Sequence, residues 1–373
     1  MEDLMNQSTD VAIVGGGVIG CSIAYQLSKM GINCTVFEKN RLASGASGAT
    51  AGMIGPIWYF DQTSEPYFQL GMRSFEIFPT LVKELEEAGI DPKFQQTGAI
   101  KVLLDEINDA VLLDNLKWQR ELGIGVRWID RKELTDREPE ITGKALGGVF
   151  SPKDGSIVGV AFVNALAHAA TRLGARFFED VEVMGLEINK DKVIGIRTQL
   201  GIYHADHTII CAGPWSGIVQ RWLPYSIPVR PIKGQRILLR KSGFLPKSTV
   251  QSIVPQKDGS VLSAATREEG NFDQVVTGEA ISQMVAKAKE VFPILHDAEF
   301  VSASAGVRPG TPDGMPILGP LPGWSGVSLA SGHDRLGIMC SPSTAKLMAG
   351  FVATGDCSQI APFSIERFGL SGN

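Results

Sequence analysis

Three glycines near the start of the chain have the spacing of a phosphate-binding turn. Gly15, Gly17 and Gly20 lie between a short apolar strand, Asp10–Val14, and a helix predicted over Val18–Met30 by apolar residues at helical spacing. The first glycine permits a tight turn, the second lets a pyrophosphate approach the backbone, and the third lets helix and strand pack closely. The N–H groups and dipole of the helix N-terminus would hold the phosphates.

An acidic residue follows at the position expected for ribose recognition. A second strand, Cys34–Phe37, ends at Glu38, whose carboxylate can accept two hydroxyls of an adenosine ribose. Strand, helix and acidic residue together predict a βαβ dinucleotide-binding unit more firmly than the glycines do alone. The unit does not distinguish FAD from NAD.

An uncharged segment of small residues favours FAD. Residues 43–55 carry no charge, and Ser44–Met53 reads SGASGATAGM. An NAD-binding domain would normally begin another helix here, whereas a Gly/Ser-rich segment suits a cofactor that extends past the pyrophosphate to a flavin ring. The alternatives are a solvent loop, which the lack of charged residues disfavours, and a dehydrogenase that uses NAD alone.

A later apolar strand also ends in small residues. Thr208–Cys211 is followed by Ala212 and Gly213, and small residues at a strand end let the backbone pack against a dinucleotide. A buried strand that simply meets a turn would have the same pattern.

Two motifs near the C-terminus complete an ordered set. Residues 306–314 read GVRPGTPDG and residues 332–337 read GHDRLG. They follow the A-G-M triplet Ala51–Met53 and the I-V-P run Ile253–Pro255 in the order found in the D-amino-acid oxidase family of flavoproteins. From residue 11 to residue 368 the chain resembles this family, and it is most similar to the glycine oxidase branch.

The resemblance implies a substrate site. Arg308, in the G-x-R-P motif, is expected to bind the substrate carboxylate through the parallel N–H donors of its planar guanidinium; a structural ion pair is the alternative. Arg335 matches a position near the flavin, and Met53 belongs to the same site. We expect His333 to pack or to contact the flavin, because in this family hydride passes directly from the α-carbon to flavin N5 and leaves no task for a base.

The cofactor contacts implied by the resemblance and the motifs form four groups. They are Gly15, Gly17, Val18, Ile19 and Gly20; Glu38, Lys39, Ala46, Ser47, Ala51, Gly52 and Met53; Val183, Ala212 and Gly213; and His333, Asp334, Arg335, Leu336, Gly337, Ile338 and Met339. Relatives with covalent flavin use a nearby His or Cys. The segment Ser44–Met53 contains neither, so we expect non-covalent FAD.

The last helix is predicted over Pro342–Ala353. Ser341 would cap it and Pro342 would occupy its first position, where proline is favoured. A helix N-terminus directed at N1 and C2=O of the flavin would stabilise the negative charge that reduction adds.

Two positions depart from the glycine oxidase pattern. Ser252 stands where glycine oxidases have a tyrosine that helps to hold the carboxylate, and Arg267 stands where they have an apolar residue. A hydroxyl in place of a phenol enlarges the pocket, and an added cation could attract an anionic substrate. A larger or dicarboxylic amino acid is therefore a second hypothesis beside glycine.

The elements that must position these residues alternate between strands and helices at both ends of the chain, with a strand-rich middle. This order predicts an α/β cofactor domain interrupted by a second domain. The resemblance implies a Rossmann-like FAD domain of the glutathione-reductase type with an interrupting α+β substrate domain that contains a mixed or antiparallel sheet. We predict residues 1–85, 145–225 and 298–373 for the first domain, residues 86–144 and 226–297 for the second, and a Gly/Pro loop over residues 306–322.

Composition excludes other classes of protein. The 373-residue chain has a formal charge of −5 and no basic run, so nucleic acid is not an expected partner. The uncharged stretches are interrupted by polar residues, and no basic flank precedes the first, so we expect neither a membrane span nor a secretory signal. Five widely spaced cysteines without a C-x-x-C pair predict free thiols in the cytoplasm and no metal site.

The leading hypothesis is an FAD-dependent oxidase of a small amino acid or secondary amine, of the glycine, sarcosine or D-amino-acid type. It would give an imine, which hydrolyses to oxo acid and ammonia or amine, and reduce O2 to H2O2. The first alternative is the catalytic subunit of a dehydrogenase complex for hydroxyproline, an opine or sarcosine, which passes electrons to a partner. The second is a flavin-binding assembly subunit without turnover. Either a homo-oligomer or a hetero-oligomeric complex is compatible with the sequence.

Overall fold

The computed structural model describes residues 8–58, 65–104, 110–224 and 226–369. This part of the chain forms an eight-stranded sheet, a nine-stranded sheet and a two-stranded ribbon, with helices packed on the sheets. The predicted α/β fold with a second, strand-rich unit is confirmed.

The helices are α1 Val18–Lys29, α2 Glu65–Glu87, α3 Ala110–Glu121, α4 Arg131–Arg137, α5 Gly159–Arg172, α6 Gly278–Val291 and α7 Gly337–Thr354. The strands are β1 Ser8–Val14, β2 Cys34–Phe37, β3 Met53–Ile54, β4 Ala99–Leu103, β5 Arg127–Asp130, β6 Gly147–Ser151, β7 Gly155–Ser156, β8 Arg176–Phe178, β9 Val183–Asn189, β10 Lys192–Thr198, β11 Gly201–Ile210, β12 Arg230–Arg240, β13 Thr249–Val250, β14 Ile253–Pro255, β15 Val261–Ala264, β16 Glu268–Glu269, β17 Glu299–Gly310, β18 Ile317–Pro320 and β19 Val327–Ser331.

The first sheet has a parallel centre. Its order is β18-β19-β11-β1-β2-β8, the strands from β19 to β8 run parallel, and the hairpin β9–β10 extends from β11. Residues 11–14 of β1 are all buried, which explains the continuous apolar run there. The carboxyl ends of β1, β2 and β11 meet, because the N–H of Gly15 donates to Phe37 O at 2.8 Å and the N–H of Cys211 donates to Val14 O at 2.8 Å. A ligand site is favoured at this edge.

The second sheet brings distant parts of the chain to the same place. Its order is β16-β12-β15-β14-β13-β4-β6-β5, and β17 pairs antiparallel with β12 from Arg230 opposite Gly310 to Arg240 opposite Glu299. The helix α6 packs on β12 and β15 and buries Met284 and Ala288 in the core of this unit. The long ribbon of β12 and β17 therefore reaches from this core to the edge of the first sheet.

Two predictions about elements differ from the structure. The loop predicted over residues 306–322 is wrong, because residues 306–310 complete β17 and residues 317–320 form β18. The final helix begins at Gly337 instead of Pro342. In both cases local residue types suggested a break that long-range packing overrides.

The predicted domain boundaries also differ from sheet membership. β6 and β17 belong to the second sheet, although the boundaries at residues 145 and 298 assign both to the cofactor domain. Boundaries near residues 152 and 311 follow the sheets more closely. Of the predicted ranges, residues 1–7, 59–64, 105–109, 225 and 370–373 lie outside the described part of the chain.

The last helix is the one described segment that is long and apolar enough to cross a membrane. The span found by length and composition is Asp334–Thr354, and 67% of its most apolar window is buried inside this fold. It packs against α1 and α2. This burial is typical of a core helix.

Candidate functional site

The turn between β1 and α1 presents backbone N–H groups to a cavity. Gly15 has φ +114°, which glycine adopts readily, and a Cβ there would lie 2.5 Å from the carbonyl oxygen of Cys211. A Cβ at Gly20 would collide with the carbonyl of Gly15, so glycine allows α1 to pack against the turn. The N-terminus of α1 has no cap from Gly17, and the N–H of Val18 donates to Ser47 Oγ at 2.9 Å. The positive end of the helix can therefore face phosphate groups.

Glu38 is anchored at the end of β2. Its Oε2 accepts from the N–H of Gly16 at 2.8 Å and its Oε1 accepts from the N–H of Asn40 at 3.0 Å. A carboxylate has about four acceptor positions, so two hydrogen bonds leave capacity for further donors. The side chain lines the cavity, where ribose hydroxyls can use that capacity.

The segment Ser44–Met53 is packed tightly, which rules out the interpretation as a solvent loop. A Cβ at Gly48 would collide with the carbonyl of Ala43, and a Cβ at Gly159 would collide with that of Ser47. Gly52 has φ +68°, and its carbonyl accepts from the N–H of Ile157 at 2.8 Å. Small residues therefore let this segment lie directly between α5 and the cavity.

Arg308 lies on β17 and projects over β12. Its backbone is opposite Ile232, and its Nη1 donates to the carbonyl of Thr266 at 3.3 Å. A Cβ at Gly234 would lie 2.5 Å from the Arg308 Cζ, so the guanidinium occupies the space that this glycine leaves. The side chain is half-buried and lines the cavity, which places a planar cation at the end remote from the β1–α1 turn.

The start of α7 forms another wall of the cavity. Gly337 and Ile338 line it, and the helix begins there without a side-chain cap. The predicted cap at Ser341 is wrong, because this residue lies inside the helix. Pro342, also inside the helix, cannot donate to the carbonyl of Ile338, and the hydroxyl of Ser341 donates to that oxygen instead, at 3.0 Å. The hydroxyl thus repairs the gap made by the proline.

His333 is buried beside this wall. Its Nε2 pairs with Thr344 Oγ1 at 3.0 Å, and Nδ1 has no hydrogen-bond partner among the described residues. Burial lowers the pKa of His333 to about 3, so the ring is neutral near pH 7. An unpartnered nitrogen in a residue that lines the cavity is a position where a cofactor atom can complete the hydrogen bonding.

The rim of the cavity carries a charge network. Arg267 donates to Glu269 at 3.1 Å and to Asp334 at 3.0 Å. Its charge is therefore compensated, which contradicts the expectation of an available cation. Ser252 lies in the turn between β13 and β14, is half-buried and lines the cavity, and its carbonyl accepts from the N–H of Ala264 at 3.2 Å.

The cavity has a volume of about 790 Å³ and runs from the β1–α1 turn to Arg308. Most of the expected site residues line it: Gly15, Gly17, Val18, Ile19, Glu38, Lys39, Ala46, Ser47, Ala51, Met53, Val183, Ala212, Gly213, Ser252, Arg267, Arg308, His333, Asp334, Arg335, Gly337 and Ile338. Arg335 is exposed at the rim.

Four expected cofactor contacts do not line the cavity. Gly20 and Gly52 are backbone-packing positions, as their close approaches to neighbouring carbonyls show. Leu336 and Met339 are 3% and 1% exposed and belong to the hydrophobic core. Helical geometry directs these two side chains away from the cavity while their neighbours face it.

Several cavity residues escaped the sequence analysis. One is Trp215, which forms part of the wall and whose ring centroid lies 4.0 Å from the Nζ of Lys39, an expected contact. Gly234, Ala264 and Thr266 come from the strand-rich middle, where no motif marks them. The available signal was Gly234 itself, because glycine inside an otherwise regular strand often marks a close approach.

The described residues fit an elongated flavin nucleotide and offer little to a metal. No group of three His, Cys, Asp or Glu side chains in the described chain could hold a metal ion. At one end are a helix N-terminus and an acidic residue for a pyrophosphate and a ribose, and along the middle is backbone free of bulky side chains. The start of α7 and Arg308 form further parts of the wall. Of the five cysteines, all free, Cys357 is partly exposed and the other four are buried.

Comparison with known proteins gives a consistent result. Residues 10–350 match the family model DAO, described as FAD dependent oxidoreductase. Glycine oxidase from Geobacillus kaustophilus is 34% identical over 97% of this chain and 98% of its own, and its crystal structure superposes with a TM-score of 0.91 over 97% of this chain and 99% of that chain. Glycine oxidase from Pseudomonas aeruginosa is 30% identical over 93% of this chain and 95% of its own. The crystal structure of glycine oxidase from Bacillus cereus, 30% identical, gives a TM-score of 0.88 over 95% and 98% of the two chains.

The predicted family and the choice of FAD over NAD are confirmed. The protein is an enzyme with FAD as its cofactor. This chain belongs to the DAO family of FAD-dependent oxidoreductases.

Proposed function

We propose that this enzyme oxidises a small amino acid or secondary amine of the glycine, sarcosine or D-amino-acid type. The observation that carries the proposal is Arg308, a half-buried planar cation that lines the cavity. The similarity to glycine oxidases over nearly the whole chain supports the same substrate class.

Arg308 would anchor the substrate carboxylate. The guanidinium donates to the carbonyl of Thr266 and occupies the space that Gly234 leaves. A planar guanidinium can offer two parallel donors to a carboxylate. Lysine could not replace it, because an ammonium is a point charge without the planar fork. Anchoring the carboxylate limits the positions that the α-carbon can take against the cofactor. This orientation of the substrate lowers the entropic part of the activation barrier.

FAD supplies the redox chemistry when bound, by accepting a hydride from the substrate α-carbon and passing the electrons to O2 to give H2O2. The imine product then hydrolyses in water to an oxo acid and ammonia or amine.

The protein contributes binding and electrostatics to this reaction. His333, whose pKa is about 3 because it is buried, is too weak a base to accept the amine proton. We therefore propose that the substrate amine reacts in its neutral form. The start of α7 directs its positive dipole end into the cavity and favours the electron-rich form of the cofactor.

The rim favours small substrates without a second carboxylate. Arg267 is already paired with Glu269 and Asp334, and Glu269 also pairs with Arg230, so the two cations and two carboxylates of this cluster balance. The second carboxylate of a dicarboxylic amino acid would find no uncompensated cation in this cluster. Ser252 leaves room for a modest side chain beside the carboxylate.

We also propose a cytoplasmic location and an enzyme that is active without a partner chain. The five free cysteines support a reducing compartment. We expect the enzyme to form a homo-oligomer. A hetero-oligomeric dehydrogenase is the alternative.

The test is anaerobic mixing of the FAD-loaded enzyme with glycine, sarcosine, D-amino acids, hydroxyproline and opines, followed by the flavin absorbance. We expect small amino acids to bleach the flavin and air to restore it with release of H2O2. A flavin that no member of the panel reduces would reject the proposal. Reduction by substrate without peroxide in air would instead identify a dehydrogenase that needs an acceptor protein.

The same assay tests the anchor. Arg308→Ala is expected to lower kcat/KM for carboxylate substrates by roughly two to three orders of magnitude, because it removes two hydrogen bonds to a charged group. Arg308→Lys should recover only part of the loss. The control is Arg240→Ala, an exposed arginine on β12 whose nearest carboxylate, on Asp258, lies 4.0 Å away. Normal carboxylate affinity in Arg308→Ala would show that another residue is the anchor.

A further inference from the structure

Arg236 lies in the middle of β12 and points at the segment Ser44–Met53, which belongs to the other unit of the fold. Its Nε donates to Ser304 Oγ at 2.9 Å, its Nη2 donates to the carbonyl of Gly48 at 2.9 Å, and its Nη1 donates to the carbonyl of Thr50. The two carbonyls are separated by one residue, so the planar fork spans a short stretch of backbone. No motif in the sequence marks this arginine.

The charge of Arg236 has no acidic partner. Within the described part of the chain, no carboxylate lies within 4 Å of this guanidinium, whereas Arg230, Arg240 and Lys241 on or beside the same strand all have one. Burial lowers the pKa of Arg236, yet a guanidinium stays protonated in proteins. The fold therefore keeps a half-buried positive charge whose hydrogen-bond acceptors are carbonyl and hydroxyl oxygens.

A half-buried charge without a carboxylate partner costs free energy, so its location suggests a role. The residues on either side of the held carbonyl of Thr50, Ala49 and Ala51, both line the flavin cavity. Holding Gly48 and Thr50 fixes the conformation in which this backbone faces the cofactor. The backbone of this segment separates the charge of Arg236 from the cavity. The low polarity of the protein interior weakens the screening of that charge.

We propose that Arg236 is a positioning residue for FAD, which clamps the segment Ser44–Met53 from the second sheet and favours flavin reduction through its uncompensated positive charge. Because β12 belongs to the second sheet, the clamp makes FAD affinity depend on the unit of the fold that contains this sheet. The charge makes the bound flavin a stronger electron acceptor. The inference rests on FAD as the cofactor and not on the identity of the substrate.

The experiment compares Arg236→Met, Arg236→Lys and the matched control Arg240→Met. Each apoprotein is titrated with FAD to measure the dissociation constant. The reduction potential of the bound flavin is then measured against reference dyes with dithionite, so no substrate is needed. The thermal midpoint of each apoprotein reports any general loss of stability.

Arg236→Met is expected to weaken FAD binding about tenfold or more, because hydrogen bonds to a charged group are lost, and to lower the reduction potential. Arg236→Lys keeps the charge and loses the fork, so it should restore the potential more fully than the affinity. Arg240→Met should match the wild type in both. If no member of the substrate panel reduced the wild-type enzyme, the proposed function would be rejected, but the FAD dissociation constants and reduction potentials would still test this inference.

The inference is overturned if Arg236→Met binds FAD within twofold of the wild type at an unchanged potential. It is also overturned if Arg236→Lys and Arg236→Met lose affinity equally, in step with apoprotein stability, since that is the behaviour of a purely structural tie. If Arg236→Met does not fold, Ser304→Ala replaces it, because this change frees the Nε donor and keeps the charge. Weaker FAD binding at an unchanged potential supports the clamp, and wild-type affinity overturns it.

Discussion

A methyl group added at Gly234 should displace the proposed carboxylate anchor without unfolding the protein. The Cβ of Gly234→Ala would lie 2.5 Å from the Arg308 Cζ, whereas carbon atoms in contact prefer about 3.5–4.0 Å. The guanidinium must therefore move by roughly 1–1.5 Å. It is the end of a flexible side chain, so it can move while the backbone of β12 and β17 stays in place.

The consequence for activity is large compared with that for stability. A displacement of about 1 Å at a positioning group can reduce the rate about 100-fold. Since each factor of ten is about 1.36 kcal/mol, this loss is about 2.7 kcal/mol of transition-state stabilisation. Alanine in a strand is favoured over glycine by roughly 0.5–1 kcal/mol, which offsets part of the strain in the folded protein. We expect a loss of kcat/KM of about two orders of magnitude with a nearly unchanged thermal midpoint.

The assay is the rate of anaerobic flavin reduction against substrate concentration, with the thermal midpoint measured in parallel. The matched control is Gly278→Ala at the start of α6, where an added Cβ would meet nothing within 4 Å. A Gly234→Ala enzyme that keeps kcat/KM within about threefold of the wild type would refute the reasoning that Arg308 depends on this space.

Three further predictions concern other contacts. Ser47→Ala removes the hydroxyl that accepts from the N–H of Val18. The FAD dissociation constant should rise by roughly three- to tenfold, since one hydrogen bond contributes about 1 kcal/mol. An unchanged dissociation constant would contradict this role of Ser47. Asp334→Asn removes one of the two carboxylates that compensate Arg267. The preference for dicarboxylic over neutral amino acids should therefore rise in competition assays, and it should rise more at low salt. A preference equal to that of the wild type at all salt concentrations would count against the charged rim. Burial raises the pKa of Asp154 to about 8 from about 3.9 in the unfolded chain, so the folded protein keeps a proton that the unfolded chain releases between these values. The free energy of unfolding should therefore fall as pH rises from about 4 to 8, by up to ~1.4 kcal/mol per pH unit, and should level off above pH 8. Asp154→Asn should remove this slope in thermal melts from pH 5 to 9. Parallel curves for the two proteins would disprove the role of Asp154.

Local sequence determined the cofactor end of the site. Gly15, Gly17 and Glu38 lie within one βαβ unit, and their spacing follows from the geometry of a single strand, turn and helix. The segment Ser44–Met53 was recognisable for the same reason, because its small residues report a close backbone approach wherever the rest of the chain lies. Ordered motifs likewise indicated Arg308 before any contact was known.

Local sequence misled where glycine and proline occur inside paired strands. Pro309 lies in β17 opposite Pro231 in β12, and the antiparallel pairing of these two strands decides their conformation. Residues 306–310 alone are typical of a loop, because their propensities carry no information about a partner nearly 80 residues away. The final helix is a similar case, since Ser341 compensates inside the helix for the hydrogen bond that Pro342 cannot make.

The sequence by itself determined the family, the cofactor and the type of fold, since each depends on residues that act within short segments. Only the tertiary structure decided which side chains meet in the cavity. Gly234 makes room for Arg308, Asp334 compensates Arg267, and the β12 strand delivers Arg236 to a segment almost 190 residues earlier in the chain. Such contacts depend on strand register and packing between distant segments, and no periodicity or composition within either segment encodes them.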